Sequence, residues 1–203
     1  MNYIKLKPLS KHTVEVVNKK IATYKIKNSN FKLFIDKISA LGEVFIIGGF
    51  IRDICLHRKP KDIDIIIDTS IEKLKKVIEN YDTETNSQNG FKVHFDNISV
   101  DVWTLDSHFE KYNNPKFKKN LYSISKSTIL NINSAVINLS RNKIYDRYYN
   151  SGIHGQKYII GFNAGKPSML KKPYLEKYIQ KSIRLGTSGK IKISNQISEF
   201  LQS

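Results

Sequence analysis

Asp62 and Asp64 are separated by one residue and stand at the head of the apolar run Ile65-Ile66-Ile67. Residues two apart on a strand project from the same face, so we expect the two carboxylates to lie side by side. Like charges this close repel each other unless a cation lies between them. A pair of Mg²⁺ or Mn²⁺ ions would remove that repulsion, and such a pair commonly accompanies a nucleoside triphosphate.

Gly48 and Gly49 follow an earlier apolar run, Val44–Ile47. Two glycines would let a triphosphate approach the backbone, and a helix that begins there would offer free N–H groups to it. Arg52 lies one turn into that helix, where a guanidinium can reach a phosphate. The alternatives are a simple tight turn for the glycines and a solvated helix position for Arg52. We interpret Asp53 as a structural partner of a nearby Arg or Lys.

The segment Gly48–Asp53, an eight-residue spacer and then Asp62–Asp64 resemble the head-domain signature of CCA-adding enzymes and bacterial poly(A) polymerases. This group belongs to the DNA polymerase β-like nucleotidyltransferases. A second match is Ile132-Asn133, which is similar to the strand that carries Thr-Ile-Asn-Ala in these enzymes. The resemblance implies Asn133 as a nucleotide-binding residue, ATP or CTP as substrate, and Mg²⁺ or Mn²⁺ as cofactor. It also implies transfer of a nucleoside monophosphate to an acceptor hydroxyl.

Asp101 is the candidate for a third carboxylate, because enzymes of this superfamily carry a third Asp on a neighbouring strand. It lies in the alternating segment Ser99–Trp103, where Val100 and Val102 share one face and Asp101 takes the other. In two-metal chemistry such a residue helps to hold the ion that activates the attacking hydroxyl. The alternative is an ordinary polar position on a strand.

Two parts of the family pattern are missing. The Arg-Arg-Asp that precedes the Asn-bearing strand in the family has no counterpart near residues 127–129. The neck motif Glu-Asp-x-x-Arg, which selects the incoming base, is also absent, and Arg184 is its nearest remnant. The family's long helical body and tail, which grip tRNA, would begin where this chain ends. We therefore expect loose base selection, and no complete CCA addition by this chain alone.

The chain of 203 residues carries 34 Lys and Arg against 18 Asp and Glu, a formal net charge of +16. This excess favours a polyanionic partner, and the resemblance favours a tRNA-like RNA. Basic residues are concentrated in residues 1–28 and 157–203, so we expect both ends to contact a nucleic-acid backbone. A lysine-rich proteome is the alternative explanation, because Lys, Ile and Asn share AT-rich codons.

The remaining composition excludes several classes of protein. Cys55 is the only cysteine, so a disulfide within the chain is impossible, and the five histidines show no zinc-binding spacing. The N-terminus has no apolar signal-like segment, and no run of 18 apolar residues occurs, so neither secretion nor membrane spanning is expected. These features predict a cytoplasmic protein without a membrane partner.

The predicted fold is α/β, with a nucleotidyltransferase-type mixed sheet flanked by helices and a short C-terminal helical, neck-like extension. We expect a loosely docked basic arm over 1–28, a head domain over 29–165 and the extension over 166–203. The expected elements are a helix capped at 28–30 and ending at Gly42, strands at 43–47 and 62–68, helices at 50–57 and 71–80, a hairpin at 91–105, a loop at 106–128, strands at 129–139 and 142–146, and helices at 171–185 and 190–202.

Three functional hypotheses remain open from the sequence. The first is a minimal nucleotidyltransferase that modifies an RNA 3′ end. The second is a transferase of the same fold that modifies a protein or a small molecule, as toxin–antitoxin or antibiotic-modifying enzymes do. The third is a nucleic-acid-binding module without catalysis. The intact set of Asp62, Asp64 and Asp101 argues against the third, and the basic charge favours the first.

Overall fold

The computed structural model describes residues 7–8, 11–86, 90–110, 120–128, 130–141, 143–146, 158–160, 176, 180 and 191–193. Eight of the described strands form one mixed sheet. These are β1 Lys7–Pro8, β2 Val44–Ile47, β3 Asp62–Ile67, β4 Thr83–Thr85, β5 Phe91–Phe95, β6 Ile98–Thr104, β7 Val136–Asn138 and β8 Lys143–Asp146. Their order across the sheet is β1-β8-β7-β2-β3-β6-β5-β4. The predicted mixed α/β architecture is confirmed.

Strands β3 and β6 form a parallel pair in the middle of the sheet, and β2 runs antiparallel to β3 on the other side. Strand β3 is therefore hydrogen-bonded along both edges. Its odd-numbered residues Ile63, Ile65 and Ile67 are buried in the main core, whereas Asp62 and Asp64 share the opposite face. Period-two alternation thus assigns the carboxylates to one side of the sheet.

Four helices cover the core side of the sheet: α1 Lys11–Lys27, α2 Ser29–Leu41, α3 Gly49–Cys55 and α4 Ile71–Ile78. Helix α2 begins at the predicted cap, where the Asn28 side chain accepts a hydrogen bond of 2.8 Å from the Phe31 N–H. Ser70 caps α4 in the same way. The predictions for α2, β2, α3, β3, α4 and the β5–β6 hairpin are confirmed within one or two residues at most ends.

The N-terminal segment differs from the loosely docked arm that the sequence suggested. Residues 11–27 form helix α1, and its residues Val17, Ile21 and Tyr24 are buried in the main core. These residues recur at helical spacing, but lysines and polar residues surround them, so the apolar stripe is narrow. Strand β1 pairs with β8 at the edge of the sheet. The basic segment is therefore partly a structural element of the head.

The opposite face carries a smaller apolar cluster and two short helices, α5 Leu105–Glu110 and α6 Leu121–Ser127. The cluster consists of Phe45, Ile47, Ile66, Leu105, Ile124 and Val136. The loop expected over 106–128 is therefore wrong for 106–110 and 121–127. Helix α6 escaped prediction because an Asn120 cap and one buried turn are too short to produce a clear period. Residues 111–119 lie outside the described ranges.

Two further predictions need correction. Of the strand expected over 129–139, the described residues 130–139 contain β7, and a 3-10 helix, Asn131–Asn133, precedes it. The helix expected over 190–202 is contradicted at Ile191–Ile193, which is a strand (β10) parallel to β9, Tyr158–Ile160. The alternation of Ile and Lys from Lys190 to Ile193 is typical of a strand. Apart from the helical residues Glu176 and Gln180, the segments 171–185 and 194–202 lie outside the described residues.

Candidate active site

The register of β3 and β6 places three carboxylates on one face of the sheet. Asp64 is the register partner of Asp101, and Asp62 is the partner of Ser99. Register partners on neighbouring strands lie about 4.8 Å apart at the backbone and project to the same side. The apolar neighbours Val100 and Val102 project into the main core instead. The sheet thus brings Asp62, Asp64 and Asp101 together from two separate segments of the chain.

Gly48 joins β2 to α3 directly beside Asp64. Its φ of +79° and ψ of −142° are accessible to glycine and strained for other residues. A Cβ atom at this position would also overlap the Asp64 carboxylate. Because Asp64 is the register partner of Ile47, the last residue of β2, the turn and the carboxylate face meet at one end of that strand. A triphosphate at the turn would therefore lie next to the carboxylates.

Arg52 is 4% exposed and belongs to a buried hydrogen-bond network. Its Nε and Nη2 donate to the two carboxylate oxygens of Asp53, each at 2.8 Å. Its Nη1 donates to Oδ1 of Asn133 at 2.6 Å. Gly49 leaves room for the guanidinium, since a Cβ there would lie 2.7 Å from Nη2. The network fastens α3 to the 3-10 helix and gives Asp53 the arginine partner expected from the sequence.

Asp101 has two polar neighbours that the sequence analysis missed. Lys92 Nζ lies 3.6 Å from Oδ2, and Asn86 Nδ2 donates to Oδ1 at 3.2 Å. Lys92 is the register partner of Asp101 on β5. Pairing outward from the predicted turn at Asp96-Asn97 matches residue 92 with residue 101, so the sequence did contain the signal for Lys92. The signal for Asn86 is tertiary, because this residue lies beyond β4.

The residue types fit a hard divalent cation, which prefers carboxylate oxygens. Their positions on adjacent strands fit it as well. The side chains as they stand do not converge: among the described residues, no group of three or more His, Cys, Asp or Glu could hold a metal ion. The Asp64 carboxylate lies against Gly48 and the Asp101 carboxylate against Lys92 and Asn86. The backbone therefore places the three aspartates on one face of the sheet. Rotation of their side chains would bring the carboxylates together around a cation.

A sequence profile of the poly A polymerase head domain matches residues 44–157, more than half of the chain. The chain belongs to this family. The matched range contains the glycine turn, all three carboxylates and Asn133. The resemblance inferred from the motif is therefore confirmed for the head domain.

The chain is also similar to individual CC-adding and CCA-adding enzymes. A CC-adding tRNA nucleotidyltransferase of Halalkalibacterium halodurans is 30% identical over 63 residues, which are 31% of this chain and 17% of that protein. The solved structure of a CCA-adding enzyme with CTP gives a TM-score of 0.58 at 17% identity, covering 93% of this chain and 44% of the other. A Thermotoga maritima CCA-adding enzyme complexed with tRNA gives 0.57 at 17% identity, covering 93% and 43%.

The structural similarities establish the fold of the head domain, and the chain spans less than half the length of these relatives. Arg184, the predicted remnant of the neck motif, lies outside the described residues. Within the part of the chain that the structure describes, no helix is both long and apolar enough to cross a membrane.

Proposed function

We propose that this head domain transfers a nucleoside monophosphate from a nucleoside triphosphate to the 3′ hydroxyl of an RNA, with Mg²⁺ or Mn²⁺ as cofactor. The observation that carries the proposal is the placement of Asp62, Asp64 and Asp101 on one face of two adjacent parallel strands, beside the turn at Gly48. Carboxylates that turn toward one site repel one another unless cations lie between them, so the site favours divalent cations over other ligands.

The reaction forms a bond between the acceptor hydroxyl oxygen and the α-phosphorus, and it breaks the bond between the α- and β-phosphates. The hydroxyl proton goes to solvent and pyrophosphate leaves. Bound cations would neutralise the triphosphate and lower the pKa of the attacking hydroxyl. Asp62 and Asp64 would supply carboxylate oxygens on the triphosphate side, and Asp101 would supply one on the acceptor side.

The proposed nucleotide-binding residues are Gly48, Gly49, Arg52, Asn133 and Arg184. For the glycines, the support is the turn conformation at Gly48 and its contact with Asp64. For Arg52 and Asn133, the support is their mutual hydrogen bond, which joins α3 to the 3-10 helix behind the glycine turn. The missing neck motif supports acceptance of either ATP or CTP. Arg184 is proposed from the resemblance alone.

RNA is the proposed acceptor because of the net charge of +16 and because of the relatives, which include a CC-adding tRNA nucleotidyltransferase. A tRNA-like 3′ end is the specific acceptor that we propose, and the cytoplasm, where RNA and NTPs are both abundant, is the proposed location. If the acceptor is a protein or a small molecule instead, transfer from a labelled NTP will place the label in that molecule.

The decisive experiment incubates the protein with each α-labelled NTP, Mg²⁺ and total cellular RNA or lysate. We expect label in RNA of tRNA size from ATP or CTP, and none with the Asp62→Asn/Asp64→Asn variant. Label in a protein or a small molecule would overturn the RNA acceptor while leaving the transferase activity. No label in any fraction, with a folded protein that binds NTP, would overturn the activity itself.

A further inference from the structure

A cavity of about 240 Å³ lies on the helix-covered side of the sheet, away from the carboxylate face. Three lysines from two segments surround it: Lys20 and Lys27 from α1, and Lys59 from the connection between α3 and β3. Ile98, at the start of β6, also lines it and points into the main core, whereas Asp101 projects to the other face. The cavity is therefore separate from the proposed active site.

The three lysines differ from their neighbours in how they are paired. Lys25 and Lys32 both form ion pairs with Asp36, at 3.1 and 2.7 Å. Within the described ranges, Lys20, Lys27 and Lys59 have no carboxylate at ion-pair distance. The Lys20 ammonium instead lies 5.4 Å from the centre of the Tyr24 ring. A carboxylate close to the lining is that of Asp96, which accepts a hydrogen bond of 3.3 Å from the lining residue Asn28. Three ammonium groups against one carboxylate leave an excess of positive charge, so the cavity favours an anion.

The rest of the lining suits a phosphate attached to a larger group. Among the described residues no acidic side chain lines the cavity, and Thr23 and Asn97 add polar groups at its rim. The floor is formed by Tyr24 and Phe31, which are 9% and 1% exposed. The Asn97 amide and the three ammonium groups can donate to phosphate oxygens, whereas the Thr23 hydroxyl already donates to the Lys19 carbonyl oxygen at 2.8 Å. The apolar floor can contact a sugar or a base.

Two residues that line the cavity are close in sequence to the proposed catalytic aspartates. Lys59 precedes Asp62 by three residues, and Ile98 precedes Asp101 by three. At the rise of a strand, the second separation is roughly 10 Å. A polynucleotide that enters the active site could therefore pass around this end of the sheet and reach the lysines, whereas a single triphosphate at the Gly48 turn could not serve both places.

We infer that the cavity between α1, the α3–β3 connection and the β5–β6 turn binds a backbone phosphate of the RNA acceptor. The choice of RNA as the polyanion rests on the proposed function. The anion site itself rests on the three lysines and on the lining of the cavity. Lysine binds phosphate as a point charge without reading a base, so the contact positions RNA irrespective of its sequence.

The test compares two triple variants with the same change in charge. Lys20→Gln/Lys27→Gln/Lys59→Gln removes the cavity lysines, and Lys73→Gln/Lys75→Gln/Lys76→Gln removes exposed lysines of α4 as the control. Binding to a fluorescent single-stranded RNA is measured by anisotropy at several salt concentrations, without NTP or divalent metal. For every phosphate that the protein no longer neutralises, the log–log salt slope should become shallower by about 0.7.

We expect the cavity variant to bind RNA at least tenfold more weakly at low salt, with a slope reduced by about 0.7 to 1.4, equivalent to one or two phosphates. The control variant should stay within threefold of wild type. Equal weakening in both variants would overturn the inference, because bulk charge alone would then explain RNA binding. Wild-type affinity in a cavity variant that melts like wild type would overturn it as well.

Competition distinguishes the source of the phosphate. Inorganic phosphate or AMP at millimolar concentration should displace RNA weakly if the site is built for a polynucleotide. Displacement by either at micromolar concentration would instead identify a small-molecule site and overturn the RNA assignment. The binding measurement needs neither metal nor NTP. The cavity can therefore prove unimportant for RNA binding in a protein that transfers nucleotides, or important in a protein that does not. The inference and the proposed function are therefore tested separately.

Discussion

Asp64 and Asp101 lie directly opposite each other on the parallel strands β3 and β6. Helix α4 and strands β4 and β5 lie between them in the chain, so their proximity depends on the crossover that returns β6 to the side of β3. In the structure Asp101 contacts Lys92 and Asn86, and Asp64 lies against Gly48. The two carboxylates thus share a face and have separate local partners, so substitutions can address each of them independently.

Replacing Asp62 and Asp64 together by asparagine should abolish metal-dependent NTP binding. The change keeps side-chain size and removes the two charges that would hold the cation. Calorimetric titration of NTP with and without Mg²⁺ measures the effect. Asp68→Asn is the control for loss of a carboxylate outside the site, because Asp68 is exposed and lies just beyond the end of β3. Unchanged affinity in the double variant would remove the metal-site assignment.

Asp101→Asn should separate binding from chemistry. We expect Mg²⁺–NTP binding within a fewfold of wild type and a transfer rate lower by at least roughly 10²-fold, about 2.7 kcal/mol of transition-state stabilisation. Nucleotide titration and single-turnover transfer on one preparation measure both. Lys92→Gln is the control for removal of the ion pair and should slow transfer far less. Equal slowing in both variants would mean that the pair with Lys92, not a metal-binding role, explains the effect of Asp101.

Gly48→Ala should lower both stability and NTP affinity. The backbone at Gly48 lies in a region that costs other residues about 1–3 kcal/mol, and the new methyl group would displace the Asp64 carboxylate. Gly42→Ala provides the comparison, because its Cβ would overlap the backbone of Asp68 away from the turn. Denaturant unfolding should show destabilisation of both variants, and calorimetry should show loss of NTP affinity in the first alone.

Arg52→Ala should destabilise the head domain by about 3 kcal/mol, since it leaves Asp53 and Asn133 without their buried partner. Arg141→Ala is the contrasting change: its ion pair with Glu43 joins side chains that are 60% and 39% exposed, so the cost should be below about 1 kcal/mol. Chemical denaturation of both variants is the measurement. A similar cost for the two would contradict the structural role of the Arg52 network.

Base selection should be loose, because the motif that reads the incoming base in the family is absent. Transfer rates for ATP and CTP should differ by less than tenfold, which corresponds to about 1.4 kcal/mol. Single-turnover measurements with each NTP at saturating RNA test this. A strict preference would point to unrecognised base-reading residues, and Arg184→Ala would show whether that arginine is one of them.

The sequence by itself determined those features that depend on neighbouring residues. The cap at Asn28, the alternation in β3 and the turn at Asp96-Asn97 are encoded within a few positions each, and each predicted its element. The spacing of Gly48-Gly49 and the aspartate pair likewise identified the family before any contact was known. Caps, periods and motif spacing are local, so they can be recognised without knowing the strand order.

Tertiary structure decided the rest. The hydrogen bond from Arg52 to Asn133 joins residues 81 positions apart, and the cavity of Lys20, Lys27 and Lys59 forms only when α1 packs beside the α3–β3 connection. The sequence of helix α1 indicated a loosely docked arm, because its few apolar residues can be recognised as core residues only from the core that they cover. Such contacts depend on which elements become neighbours after folding. Which elements become neighbours is decided by the apolar surface buried over the whole sheet, so it cannot be deduced from any single segment.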